Sequence, residues 1–439
     1  MHNMNILLLG SGGREHAMAY KIAQSKRCEH LYIAPGNAGT ASCGTNVKLD
    51  PCDFPKVGDF VLKHGIQMVV VGPEAPLVAG IADYFAEAPG LANIMVIGPA
   101  KAGARLEGSK DYAKDFMARH DIPTATYRTV TAETLDDGIA YLRTLKAPYV
   151  LKADGLAAGK GVLIIDNLEE AERELREMLV EAKFGKASEK VVIEQYLSGV
   201  ELSVFVLTDG RHYHILPTAK DYKRIGDGDT GLNTGGMGSI SPVHFADRAF
   251  MRKVEERIVA PTVKGLIQDR IPYKGFIFVG LMAVPCDDGF DPYVIEYNVR
   301  MGDPETESVV PRIESDVVEL FEHVWTGDLQ HTSLIVSHKA AACVMMVAKG
   351  YPGSYKKGDV IHGLEPDDTP QESLVFHAGT ALNEKGEVVT NGGRVMCVTT
   401  MADSMPSALL RTYQYLDRIT WNGRTYRRDI GQDLLKMMI

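Results

Sequence analysis

Lys152 is followed by Gly155-Leu156-Ala157-Ala158-Gly159-Lys160-Gly161, so two lysines and three glycines fall within ten residues. Glycines let backbone N–H groups close around phosphate oxygens, and a lysine adds a point charge. The loop is not of the Walker A kind. Only three residues separate its first glycine from Gly159-Lys160, Gly161 stands where Ser or Thr belongs, and an apolar run rather than a helix follows. Apolar residues flank the loop on both sides, which predicts a β-hairpin whose tip folds over nucleotide phosphates or serves only as a turn.

A second cluster follows the sequence YVIEYNV at 293–299. The period of two expected of a strand puts Val294, Glu296 and Asn298 on one face and Ile295, Tyr297 and Val299 on the other. Two hard oxygen donors side by side suit magnesium that also keeps waters and substrate phosphates. A solvated polar strand face is the plainer alternative. Arg300 to Glu305 crowd charge into the next turn, where Arg300 could clamp a carboxylate with two parallel hydrogen bonds.

Near the amino terminus a short apolar strand at 5–9 runs into Gly10-Ser11-Gly12-Gly13-Arg14-Glu15-His16, with helix expected over 17–24. Glu15 occupies the place of the third glycine of a dinucleotide fingerprint, and the second strand ends in Pro35-Gly36 without an acid for a ribose hydroxyl. A small phosphate at the helix N-terminus fits this turn better, and packing glycines are the alternative. Residues 190–197 read as a strand offering its edge to adenine, with Glu194 for the exocyclic amine and Glu201 for the ribose hydroxyls, or with both glutamates merely solvated. The stretch 219–242, basic at first and then glycine-rich, reads as a long irregular anion-binding loop.

The elements that must position these residues suggest several lobes. The first hundred residues alternate strands (5–9, 31–34, 68–71, 94–97) with helical segments, as in a doubly wound parallel sheet whose turns gather at one edge. The expected division is 1–103, 104–330 with a small lobe at about 122–195, and 331–439. In the small lobe a cover helix is expected over 168–183, capped by Asn167. The last part reads as strands at 341–348, 360–364, 374–378 and 394–400, a helix and a basic tail at 424–428. The 439 residues, 45% hydrophobic and 24% charged, describe an ordinary globular protein. A formal charge of −10 argues against nucleic-acid and anionic-membrane partners. The six cysteines show no paired spacing, and no signal peptide or spanning segment is legible, so a reducing cytoplasm is expected.

In order and spacing, seven segments resemble the phosphoribosylamine–glycine ligase family of the ATP-grasp superfamily, over essentially the whole chain. They are GSGGREHA (10–17), APGNAGT (34–40), VGPEAPLVAG (71–80), LEGSKDYAKDFMARHDIPTA (106–125), LKADGLAAGKGV (151–162), GDTGLNTGGMGSISP (228–242) and IEYNVRMGDPET (295–306). The resemblance implies an α/β and α+β multidomain protein: an N-terminal doubly wound parallel sheet, a central two-lobed ATP-grasp and a small mixed α/β C-terminal domain. It implies ligation of glycine to 5-phosphoribosylamine with ATP giving ADP and phosphate, through glycyl phosphate. Lys110, Lys152, Gly155, Gly159, Lys160, Gly161, Glu194, Leu197 and Glu201 would hold ATP, and Glu296 and Asn298 would hold Mg2+ or Mn2+. Gly12, Gly13, Asn37, Glu74, Asp221, Lys223, Arg300 and Asp303 would hold the other substrates, with Lys152, Arg300 and Asp303 nearest the chemistry. No nucleic acid or membrane is implied, and a monomer or weak homodimer is expected. Many ATP-grasp enzymes carry a metal-binding carboxylate on the strand that here reads Val279-Gly280-Leu281-Met282, and this chain has none there. Another ATP-grasp amine ligase or transformylase for a related phosphoribosyl substrate is the alternative within the class. A nicotinamide-linked oxidoreductase, opposed by Glu15, and a non-catalytic nucleotide-binding protein are alternatives outside it.

Overall fold

The computed structural model describes residues 3–156, 161–364 and 373–438. Five parallel strands, β1 (Met4–Gly10), β2 (Cys28–Pro35), β3 (Thr45–Asn46), β4 (Ile66–Val71) and β5 (Met95–Ile97), form a sheet of order β3-β2-β1-β4-β5. Ile6 to Leu9 are fully buried, as expected of a central strand covered on both faces. Strand order reverses between β1 and β4, so their following turns, 10–13 and 72–74, flank the crevice where such sheets take ligands. The first helix begins at Gly13 and runs to Ile22, earlier than the expected 17–24, because the Glu15 carboxylate closes its first turn by accepting the Gly12 N–H at 2.7 Å.

The small lobe is an antiparallel sheet of β6 (Tyr127–Val130), β7 (Tyr149–Ala153), β8 (Val162–Ile165) and β9 (Val191–Gln195), in the order β6-β9-β7-β8. The helix Leu168–Val180 covers it through Ala171, Leu175 and Met178, and Asn167 caps that helix by accepting the Glu170 N–H at 3.0 Å. β7 and β8 form the expected hairpin, with Lys152 opposite Val162. Its tip, including Gly159 and Lys160, lies outside the described residues.

β10 (Val200–Thr208) and β11 (Tyr213–Ile215) open the large lobe. The stretch 219–242 is not the irregular loop its glycines suggest. It holds β12 (Lys220–Asp221), β13 (Arg224–Gly226), β14 (Thr230–Asn233) and β15 (Gly238–Ser241), because Gly228, Gly231 and Gly236 take left-handed φ values of 70°, 79° and 123° that turn the chain tightly. β16 (Gly275–Cys286) and β17 (Gly289–Asn298) complete the lobe's sheet, β11-β10-β16-β17.

The carboxyl-terminal strands are β18 (Ala340–Val347), β19 (Ser373–His377), β20 (Thr380–Leu382), β21 (Val388–Thr390) and β22 (Arg394–Ala402). β12 and β15 join three of them in the sheet β12-β15-β18-β22-β19, so the glycine-rich stretch ties the central part to the last one. The expected strand at 360–364 is reduced to isolated bridges, Val360 to Val389 and His362 to Thr420. Residues 424–428 are not a free basic tail. Arg427 is 1% exposed and pairs with Asp429 and Asp229, and the helix Gln432–Met437 follows. Among the described residues no helix is long and apolar enough to cross a membrane. All six cysteines are free thiols.

Candidate active site

The cleft between the two central lobes is built around the end of β7. Lys152, 5% exposed, pairs with Glu194 Oε1 at 3.0 Å and donates to the Ile295 carbonyl at 3.2 Å. Glu194, expected to meet an adenine amine or solvent, is instead held between two lysines, for Lys114 Nζ stands 3.3 Å from its other oxygen. β9 ends at Gln195, and the backbone of Leu197 in the connector beyond makes no hydrogen bond among the described residues. Lys110 donates to the Gly155 carbonyl at 3.2 Å and so anchors the start of the glycine loop, while Gly161 closes its far side by accepting the Ala153 N–H at 2.7 Å.

Across the cleft, strict alternation on β17 fails at one point. Gly280 pairs with Glu296 and Leu281 with Val294, so Ile295 is bulged out of the ladder. Val294 therefore lies in the core with Tyr297 and Val299, whereas Glu296 and Asn298 share the open face. No hydrogen bond or ion pair to the Glu296 carboxylate occurs among the described residues. Burial would raise its pKa, but the charges of Lys223, Lys152, Lys110 and Arg300 outweigh that and hold it below the usual range. An unpaired carboxylate facing four cations is ready for a ligand of mixed charge. No group of three or more His, Cys, Asp or Glu side chains converges on a metal position among the described residues. Glu296 and Asn298 fit a divalent ion only if phosphates and waters complete its shell, as hard oxygen-seeking cations allow.

Glu201 and Lys223, assigned to different ligands on sequence grounds, form an ion pair with each other. Burial would lower the Lys223 pKa, yet Glu201, Asp221 and Glu296 raise it well above normal, so it stays charged. Burial raises Asp221, with Lys223 opposing.

The glycine-rich turn after β1 departs furthest from expectation. Two N–H groups of its helix N-terminus already have carboxylate partners: Glu15 Oε2 accepts the Gly12 N–H and Asp303 Oδ2 accepts the Arg14 N–H at 3.4 Å. A Cβ on Gly10 would meet Glu15 Cγ at 2.4 Å, and one on Gly13 would meet Glu307 Oε1 at 2.2 Å, so these glycines make room for acids. Asn37 is likewise spent within the protein. Its amide donates to the carbonyls of Ser11 and His377, both at 2.8 Å, and its oxygen accepts from Gly39 and Thr40. The clamp around Arg300 is partly closed too: its guanidinium pairs with Glu107 at 2.8 Å and Glu74 at 3.4 Å. Asp303 pairs with Arg394, brought from β22, at 3.0 Å.

The structure thus brings Lys110, Lys152, Glu194, Glu201, Asp221, Lys223, Glu296, Asn298 and Arg300 to one cleft, with Glu74 and Asp303 at its amino-terminal wall. Asn37 stands behind that wall. Sequence reasoning missed Lys114, Glu107 and Arg394. The first two lie in the quoted segment 106–125, but their helical spacing looks like an ordinary amphipathic face. Nothing local marks Arg394, which arrives by tertiary folding.

Three family models match in series: the phosphoribosylglycinamide synthetase N domain over residues 4–107, the ATP-grasp (A) domain over 108–306 and the C domain over 341–433. Phosphoribosylamine–glycine ligase of Pseudomonas aeruginosa is 45% identical over 430 residues, 98% of this chain and 97% of that one. The crystal structure of phosphoribosylamine–glycine ligase from Thermotoga maritima matches with a TM-score of 0.81 and 37% identity, covering 97% of this chain and 99% of that one. The biotin carboxylase domain of the Hydrogenobacter thermophilus 2-oxoglutarate carboxylase, in complex with MgADP, shares the fold at 17% identity and a TM-score of 0.72, over 97% of this chain and 92% of that one.

Proposed function

The chain belongs to the phosphoribosylglycinamide synthetase family, an ATP-grasp ligase family of purine biosynthesis, and from that premise we propose that its cleft joins glycine to 5-phosphoribosylamine while ATP becomes ADP and phosphate. The observation that carries this reading is Glu296, unpaired and ringed by Lys110, Lys152, Lys223 and Arg300. Such a cleft suits a polyphosphate held together with a cation.

Glycine's carboxylate is a poor electrophile, so a direct attack by the amine would have to expel oxide. Activation comes first. Lys110 and Lys152 hold the polyphosphate so that its γ-phosphorus lies in line with a glycine carboxylate oxygen, and their charges spread that developing in transfer. The Mg2+ or Mn2+ ion that Glu296 and Asn298 would hold supplies further charge neutralisation. Glycyl phosphate results, and the phosphoribosylamine nitrogen opens it with loss of phosphate and a proton. Arg300, steadied by Glu74 and Glu107, orients glycine's carboxylate, and Asp303, held by Arg394 and the Arg14 N–H, forms the wall beside it. The purine lies against Leu197. Free thiols and small-molecule substrates agree with a cytoplasmic enzyme. The test is ADP release with ATP, magnesium, glycine and fresh phosphoribosylamine, each omitted in turn. Sustained ADP turnover must require both small substrates, whereas ATP and glycine alone give at most one ADP per site; continuous release without glycine refutes the reading.

A further inference from the structure

Lys114, Glu194 and Lys152 put two ammonium groups against one carboxylate, with side-chain exposures of 2%, 6% and 6%. A dry site with a surplus positive charge is costly unless an anion enters it. The two lysines differ in what else they hold. Lys114 donates to Thr124 Oγ1 at 2.7 Å, and that hydroxyl donates to the Val294 carbonyl at 2.7 Å. Lys152 donates to the next carbonyl, Ile295, from the end of the strand that leads into the glycine loop. Small-lobe side chains thus read both carbonyls at the bulge that presents Glu296.

We propose that Lys114 is a positioning residue for the nucleotide: it remains as the counter-charge of Glu194 when Lys152 transfers its ammonium from Glu194 to the ATP phosphates, and through Thr124 it fixes the bulge beneath Glu296. Without it, engagement of the phosphates by Lys152 would strand a buried carboxylate. Burial lowers the Lys114 pKa to about 8 against the opposing charge of Glu194, with Lys152 adding to the fall. The other groups facing it are the Thr124 hydroxyl and the Tyr127 ring, 5.5 Å away.

The inference rests on the ATP reading above, and its test is calorimetric binding of Mg-ATP without other substrates. Lys114→Met should weaken binding on the order of 30-fold, as expected when one partner of a buried charge pair is truncated. Lys114→Arg should stay within about threefold of wild type. Adding Glu194→Gln to Lys114→Met should recover affinity, because a neutral amide needs no counter-charge. Thr124→Val should weaken binding where Thr124→Ser does not, which covers the case in which Lys114→Met fails to fold. The ATP KM of wild type should rise above about pH 8, and that of Lys114→Arg should not. Wild-type affinity in Lys114→Met, or no recovery in the double variant, overturns the inference. Failure of the wild-type chain to bind ATP overturns the functional reading itself.

Discussion

Two glycine-rich segments of this chain look like phosphate cradles, and the described residues at the first and at the root of the second have opposite surroundings. At 10–13 the helix N-terminus, with its partial positive charge, is filled by the protein's own Glu15 and Asp303. At the end of β7 two buried lysines, Lys114 and Lys152, share one carboxylate, Glu194, and Glu296 is faced by four positive groups while bonded to none of them. The difference lies in the charged side chains that reach each turn. A glutamate three residues past Gly12 can fold back onto its own turn, whereas Lys152 and Lys110 leave charge to be matched from outside. The first region is locked and the second is poised.

The largest expected effect breaks the poised side. Glu296→Gln removes the unpaired carboxylate and should lower kcat by about 10²–10³-fold at saturating magnesium, with the thermal midpoint almost unchanged. A full rate in this variant would place the metal elsewhere.

Acid should next unlock the amino-terminal side. His16 Nδ1, on the helix Gly13–Ile22, accepts the backbone N–H of His377 at the end of β19 at 2.7 Å. Burial lowers the two imidazoles to about 3 and about 4 respectively, with His377 adding to the fall at His16. Unfolded imidazoles protonate near pH 6.5. Between there and pH 4 the unfolded state therefore binds more protons, and stability falls as pH drops through that window. Urea midpoints at pH 7.5 and 4.5 should show this, and the drop should shrink in His377→Gln. An equal drop in that variant would assign the acid sensitivity to other groups.

The smallest effect sharpens the contrast. Glu15→Ala removes the acceptor of the Gly12 N–H and leaves the Arg14 guanidinium, among the described residues, with only the Met301 carbonyl, at a cost of about 1–3 kcal/mol of stability. Denaturant titration should register that loss while the KM for phosphoribosylamine stays at the wild-type value. A raised phosphoribosylamine KM at full stability would mean that the turn at 10–13 handles phosphate after all.

Much of this contrast is legible in the residues themselves. The parallel alternation of the first hundred residues, the hairpin around Lys152, the Asn167 cap and the shared face of Glu296 and Asn298 all follow from local pattern, because each depends on periodicity or on neighbours a few positions away. The bulge at Ile295 does not. It rests on how β16 and β17 register against each other, and a period-two pattern is blind to it. Nor does the spacing of 219–242 show that its ends join a sheet with β18, since only a strand a hundred residues away completes the ladder. The filling of the first turn by Asp303 and the pairing of Glu201 with Lys223 are likewise tertiary, and they turn residues that look free for a ligand into partners of one another.

The central claim is that the poised cleft activates glycine by phosphoryl transfer, and glycine labelled with ¹⁸O in its carboxylate tests it most directly. With ATP, magnesium and phosphoribosylamine present, one labelled oxygen should appear in each phosphate released alongside ADP. Label in AMP with pyrophosphate as co-product, or unlabelled phosphate during full turnover, would contradict it.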